Sequence, residues 1–185
     1  DPGHLTVIAA ACRDRECLRF AYVSRGGERT RRETEPHSLV NLGRRWYLVA
    51  FDRGREDWRS FRVDRLAEPA STGVRFEPRE LPAADASAYV ERSISQRPSR
   101  YEARVTVHAP AAEMACRFPP FWGRFEPLDE GRCEYRSGDD DLAWLATRIA
   151  MLGVDFEVEE PPELLEHLRE VQRRLRRAIA GSPPA

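Results

Sequence analysis

Apolar residues at Leu5, Ile8, Ala9 and Cys12 recur at i, i+3, i+4 and i+7. That is the spacing of one helical face, and it predicts a short amphipathic helix over residues 5–15. The period then changes. In CLRFAYVS, Leu18, Phe20 and Tyr22 alternate with other residues, which predicts a strand, and RGGE with Gly26 and Gly27 predicts a tight turn. RTRRETEP is polar on both faces and reads as an exposed or edge strand. Pro36 interrupts it before HSLVNL resumes an extended course. RRWYLVAFD places Trp46, Leu48 and Ala50 on one face and Tyr47, Val49 and Phe51 on the other. Both faces are apolar, so this strand is expected in the middle of a sheet. RGRED turns into a further strand, WRSFRV. Five short strands with tight turns in about fifty residues predict a small closed β-barrel of SH3 or Sm type.

Residues 69–99 are rich in Pro, Ala, Ser and Glu and read as a linker carrying one short helix near 85–94. From residue 100 the alternation returns. YEARVTVHA is a strand, 110–117 a short helix, and 121–127 and 132–137 two more strands. Leu142, Leu145, Ile149 and Leu152 mark a buried helical stripe that starts after Asp139–Asp141 and ends at Gly153. VDFEVEE follows as a strand. A last helix opens at Pro161–Pro162 and carries Leu164, Leu168, Val171, Leu175 and Ala178 on one face. The order βαββαβ plus a terminal helix predicts a ferredoxin-like domain. The expected fold class is therefore α+β, with a barrel unit over 1–68, a linker over 69–99 and a ferredoxin-like unit over 100–181.

The 185 residues are 41% hydrophobic and 33% charged, which suits a globular chain rather than a disordered one. No apolar run approaches the ~20 residues of a membrane span, and the N-terminus has no secretory leader pattern. Cys12, Cys17, Cys116 and Cys133 include no C-x-x-C pair, so they are expected as reduced thiols in a cytoplasm, without a metal site. All 30 basic residues are arginine. Residues 1–66 hold 14 Arg against 10 acids, whereas residues 67–185 hold 16 against 21. The basic excess of the first half points, weakly, to an anionic partner.

Trp46-Tyr47-Leu48, preceded by EPHSLV (Glu35 to Val40) and followed by FRVDRL (Phe61 to Leu66), resembles the WYL domain. Residues 100–180 resemble the WCX extension, through DLAWLA (Asp141 to Ala146), LGVD (Leu152 to Asp155) and EVEEP (Glu157 to Pro161). The resemblance implies the ligand-sensing part of a bacterial transcription regulator. In such regulators an Sm-like barrel is thought to bind an anionic ligand, single-stranded DNA or a nucleotide, in a basic surface pocket. The signal passes to a winged helix-turn-helix domain, which would precede Asp1.

The chemistry of that reading rests on two kinds of group. Guanidinium forks match phosphate oxygens two at a time, and aromatic faces stack bases. Tyr47, Arg59, Ser60, Arg62 and Arg65, joined by His37 and Ser38, form the candidate ligand site. Each has a plainer alternative. Arg62 and Arg65 pair with Asp64, Glu68 or another acid; Arg59 is a solvated hairpin residue; Tyr47 is core; His37 is structural. Trp58 either closes the barrel or adds a stacking platform, and Trp46 and Leu48 are assigned to the core. His4, His37, His108 and His167 are scattered, and no nucleophile elbow or phosphate loop is present, so neither catalysis nor a cofactor is expected. Asp139–Asp141 read as a helix cap rather than a metal site. A second function, homodimerisation through the second unit, is suggested by the apolar stripe of the last helix.

Overall fold

The computed structural model describes residues 2–95 and 99–180, and the chain divides into two compact units, 1–96 and 97–185. Linker positions 96–98 and the boundary residue 181 lie outside the described residues.

In the first unit, α1 (Pro2–Asp14) is followed by β1 (Glu16–Val23), β2 (Arg29–Leu42), β3 (Arg45–Asp52) and β4 (Asp57–Arg62). A 3-10 turn, Val63–Arg65, leads to β5 (Leu66–Arg75), and α2 (Ala86–Ser95) closes the unit. The strands form one antiparallel sheet in the order β4-β3-β2-β1-β5. β4 and β5 are its edges. No ladder joins them among the described residues, so the sheet is open where a closed barrel was expected.

Two other expectations change. Residues 69–75, assigned to the linker, belong to β5, which pairs with β1; their polar composition reflects an edge position with one side in solvent. The two polar segments around Pro36 are one strand of 14 residues in an interior position of the sheet. Pro36 is tolerated because the β2–β3 register slips between Pro36 and Ser38, a bulge at which the missing N–H costs no ladder bond. The charges of β2 are matched across the sheet. Arg19 donates to Glu33 at 2.8 Å, Arg53 to Glu33 at 2.6 Å, and Arg32 to the buried Asp52 at 3.3 Å.

Each face of this sheet packs against one helix. On one side Leu18, Phe20, Leu48, Ala50, Phe61, Val63 and Leu66 meet Ile8 and Ala11 of α1. Ala9 is exposed, and Ala11 takes the buried place. On the other side Val40, Tyr47 and Val49 meet Val90 of α2. Leu48 is core as expected, but Trp46 is not. It is the second residue of β3, on the α1 face, and is 41% exposed.

The second unit contains β6 (Tyr101–Val107), α3 (Ala111–Arg117), a 3-10 turn Pro120–Trp122, β7 (Arg124–Pro127), β8 (Cys133–Asp139), α4 (Leu142–Ala150), β9 (Phe156–Glu160) and α5 (Pro162–Ala180). Its sheet is antiparallel in the order β7-β8-β6-β9. Val105, Val107, Tyr135, Leu145, Ile149, Leu152 and Leu164 form its core. Of the three consecutive aspartates, Asp141 is the cap of α4. Its Oδ1 accepts from Ala143 N and Trp144 N at 3.0 and 3.2 Å. Asp139 is buried at the end of β8, and Asp140 accepts from Arg100 N. The stripe of α5 is buried only in part. Leu164 and Leu168 pack on the core, whereas Leu175 and Ile179 are 58% and 74% exposed. Among the described residues no helix is long and apolar enough to cross a membrane.

Candidate functional site

The β3–β4 hairpin fixes which of the candidate residues can meet. Directly opposed residues of an antiparallel pair project to the same face, and successive residues alternate. Tyr47 is opposite Arg62, Val49 opposite Ser60, and Ala50 opposite Arg59, while Ser38 of β2 is opposite Val49. Tyr47, Ser60, Arg62 and Ser38 therefore share the α2 face. Arg59 projects with Ala50 to the α1 face and does not join them. The expected pairing of Tyr47 with Arg59 fails because position 59 is registered against 50, an odd number of residues from 47. Arg59 is partly buried, and its Nε has no hydrogen-bond partner among the described residues.

The middle of the α2 face is covered. Tyr47 is only 7% exposed and packs with Val40, Val49 and Val90. The hydroxyl of Ser60, also buried, lies 2.7 Å from the Ser93 hydroxyl of α2. Tyr89 of α2 donates its phenolic hydrogen to the Trp58 carbonyl at 2.6 Å. In this arrangement the Tyr47 ring is a packing surface for α2 rather than an open platform.

At one end of the face, arginines gather. Arg62, at the end of β4, donates from Nε and Nη2 to the two carboxylate oxygens of Asp64 at 3.0 and 2.6 Å. Arg65 ends the 3-10 turn, and Arg45 opens β3 two residues before Tyr47, hence on the same face. Partial burial raises the Asp64 pKa, but the Arg62 hydrogen bonds and the charges of Arg62, Arg45 and Arg65 outweigh it. The carboxyl is held below the usual aspartate range. Three guanidinium groups thus act on this carboxylate. Arg45 was not among the ligand residues expected from the sequence. The alternation of β3 was the signal for it, since residues 45 and 47 share a side.

At the other end the aromatic groups collect. The bulge at Pro36–Ser38 re-aims His37, whose Nδ1 lies 2.7 Å from the Ser38 hydroxyl. Its ring meets Trp58 edge-on at 5.6 Å, and Trp58 meets Phe51 at 6.1 Å. His37, Phe51 and Trp58 line a cleft of about 190 Å³. The candidate residues therefore fall in distinct places. Arg62 and Arg65 join Arg45, Tyr47 and Ser60 lie under α2, His37 and Ser38 sit at the aromatic end, and Arg59 occupies the opposite face.

Comparison with known sequences completes the picture. Residues 3–70 match the WYL domain and residues 99–178 match the WCX domain. The chain belongs to the WYL-domain family. It is 31% identical over 186 residues to Protein PafB of Mycobacterium leprae, covering 98% of this chain and 54% of that protein. It is 25% identical over 179 residues to Protein PafC of Mycobacterium tuberculosis, covering 96% and 55%. Its identity is 26% over 167 residues to the uncharacterized HTH-type transcriptional regulator YobV of Bacillus subtilis, covering 88% and 51%. The chain thus spans about half the length of these relatives. Among solved structures it is similar to the proteasome accessory factor B/C (PafBC) of Arthrobacter aurescens, with 24% identity, a TM-score of 0.48, and coverage of 87% of this chain and 25% of that one.

Proposed function

We propose that this chain is the effector-sensing region of a WYL-family transcription regulator. It binds an anionic ligand, single-stranded DNA or a nucleotide, at the arginine end of the α2 face and passes the state of that site to an upstream DNA-binding domain. The observation that carries the reading is the grouping of Arg45, Arg62 and Arg65 about the Asp64 carboxylate, whose pKa all three lower. Guanidinium forks bind phosphate oxygens in pairs, and a phosphate competes with Asp64 for the two donors of Arg62 that now hold it. The likeness to the Bacillus subtilis HTH-type transcriptional regulator supports the regulatory role.

The position of α2 supports a relay. A base stacks on Tyr47 only if Val90 leaves the ring and Ser93 releases Ser60. A ligand that makes those contacts therefore favours an arrangement with α2 displaced, and differential affinity for two states is what shifts an equilibrium. α2 ends at Ser95, just before the second unit begins in the chain. The strand orders support the finer fold reading, an Sm-like arrangement in the first unit and a ferredoxin-like one in the second.

The test is fluorescence anisotropy on labelled single-stranded oligonucleotides across a salt series. Arg62→Ala and Arg65→Ala should weaken binding with little loss of folding. Each should also reduce the slope of log affinity against log salt by ~0.7 per lost phosphate contact. Binding that ignores ionic strength, or none at any salt, would count against the proposal. A second reading, self-association through α5, is favoured by the exposure of Leu175 and Ile179 on one helix. Sedimentation equilibrium of Leu175→Glu beside the unaltered chain distinguishes it, since a monomer in both removes the reading.

A further inference from the structure

The aromatic end of the hairpin has a composition that phosphate binding does not call for. Phe51 and Trp58 present flat faces, His37 stands edge-on to Trp58, and Cys12 of α1 contributes a thiol to the wall. Two charged groups sit together beside these rings. Arg79 donates to both carboxylate oxygens of the buried Glu35, at 2.6 and 3.3 Å, and its guanidinium lies 4.0 Å from the centre of the Phe51 ring. The cleft thus offers apolar planes on its sides and, at one place, an acceptor next to a donor. At about 190 Å³ it is smaller than the ~300 Å³ at which pockets begin to take drug-sized molecules, and its size suits one ring system.

We propose that this cleft binds a single nucleobase, with its face against Trp58, its rim against Phe51, which stands at 82° to Trp58, and its hydrogen-bonding edge on Glu35 and Arg79. Each base carries a donor beside an acceptor along one edge, which complements a carboxylate beside a guanidinium. The Arg79 guanidinium covers one face of the Phe51 ring, 4.0 Å from its centre. The cleft and the arginine cluster lie at opposite ends of β3, ~13 Å apart from Tyr47 to Phe51 at the strand's rise per residue. One strand of nucleic acid therefore has room to place a phosphate at one end and a base at the other. The choice of a base as ligand rests on the nucleic-acid reading above; the cleft itself does not need the arginine cluster.

The experiment titrates the 185-residue chain with guanosine, adenosine, thymidine and cytidine, and separately with ribose 5-phosphate. It follows the indole N–H resonance of Trp58 by NMR, assigned through Trp58→Phe. At least one nucleoside is expected to bind at millimolar concentration or better, shift that resonance and respond little to salt, while ribose 5-phosphate leaves it unmoved. Arg79→Ala and Glu35→Gln should each weaken nucleoside binding about tenfold or more, as loss of a charged hydrogen-bond partner does. Cys12→Phe, which fills the cleft, should abolish it. If no nucleoside binds the folded protein, or if binding survives both Arg79→Ala and Cys12→Phe, the proposal is overturned. Oligonucleotide binding without nucleoside binding removes the cleft proposal and leaves the arginine site standing. Nucleoside binding without oligonucleotide binding supports the cleft and removes the arginine site.

Discussion

Asp64→Asn should tighten the binding of an anionic ligand, although it deletes an ion pair visible in the structure. Arg45, Arg62 and Arg65 all act to lower the pKa of Asp64. A phosphate held by Arg62 and Arg65 would lie ~6 Å from that carboxylate. At this distance two like charges repel by ~0.7 kcal/mol in water and by ~2.8 kcal/mol at an effective dielectric constant of 20. The Asp64 side chain is 54% exposed, so the aqueous end of that range applies, and ~1 kcal/mol is a fair expectation. That corresponds to an affinity about fivefold higher. The cost in stability is small, because exposed ion pairs contribute ~0–1 kcal/mol. Anisotropy titrations of a labelled oligonucleotide at low and high salt would measure the change, which should shrink as salt screens the repulsion. Acid also tests the pair. The Asp64 pKa is lowered in the folded state, so its stabilising contribution is complete above the ordinary aspartate range and is lost as pH falls through the lower folded value. An Asp64→Asn protein that folds normally and binds no tighter, or more weakly, would refute the idea that these arginines form the anion site.

Phe61 is buried and meets Phe20 and Tyr22 edge-on, with ring centroids 5.2 Å away in each case. Phe61→Ala should lower stability by ~3–5 kcal/mol, seen as an earlier urea midpoint. Asp141→Ala removes the cap that accepts from Ala143 N and Trp144 N, at a cost of ~1 kcal/mol, and Asp141→Asn should restore most of it. Burial pushes the Cys12 thiol up to about 11, so at pH 8 only about one molecule in a thousand carries the thiolate. Iodoacetamide labelling followed by mass spectrometry should therefore find the exposed Cys116 modified well before Cys12. The same burial predicts that Cys12 stabilises the fold below the ordinary thiol range and that this contribution is lost as pH rises through about 11.

Much of the local structure follows from the order of side chains alone. The alternation of β3, the turn after Asp52, the stripe of α4 and the cap at Asp141 each reflect interactions within a few residues of one another. The family was also legible, because Trp46-Tyr47-Leu48 and FRVDRL stand at a recognisable spacing. What pattern could not supply was pairing. Residues 69–75 look like linker until β1 lies beside them, and β2 looks like an edge until β1 and β3 take its two sides. The candidate site suffered most. Tyr47 and Arg59 look interchangeable along the chain, and only the register of β3 against β4 sends them to opposite faces. Trp46 looked like core, but the sheet's outer end leaves it in solvent, and the exposed end of α5 repeats that lesson. Periodicity specifies which side of its own element a residue occupies. Which elements face each other, and therefore which charges meet, depends on contacts between residues far apart in the chain, and those exist only once the sheet has formed.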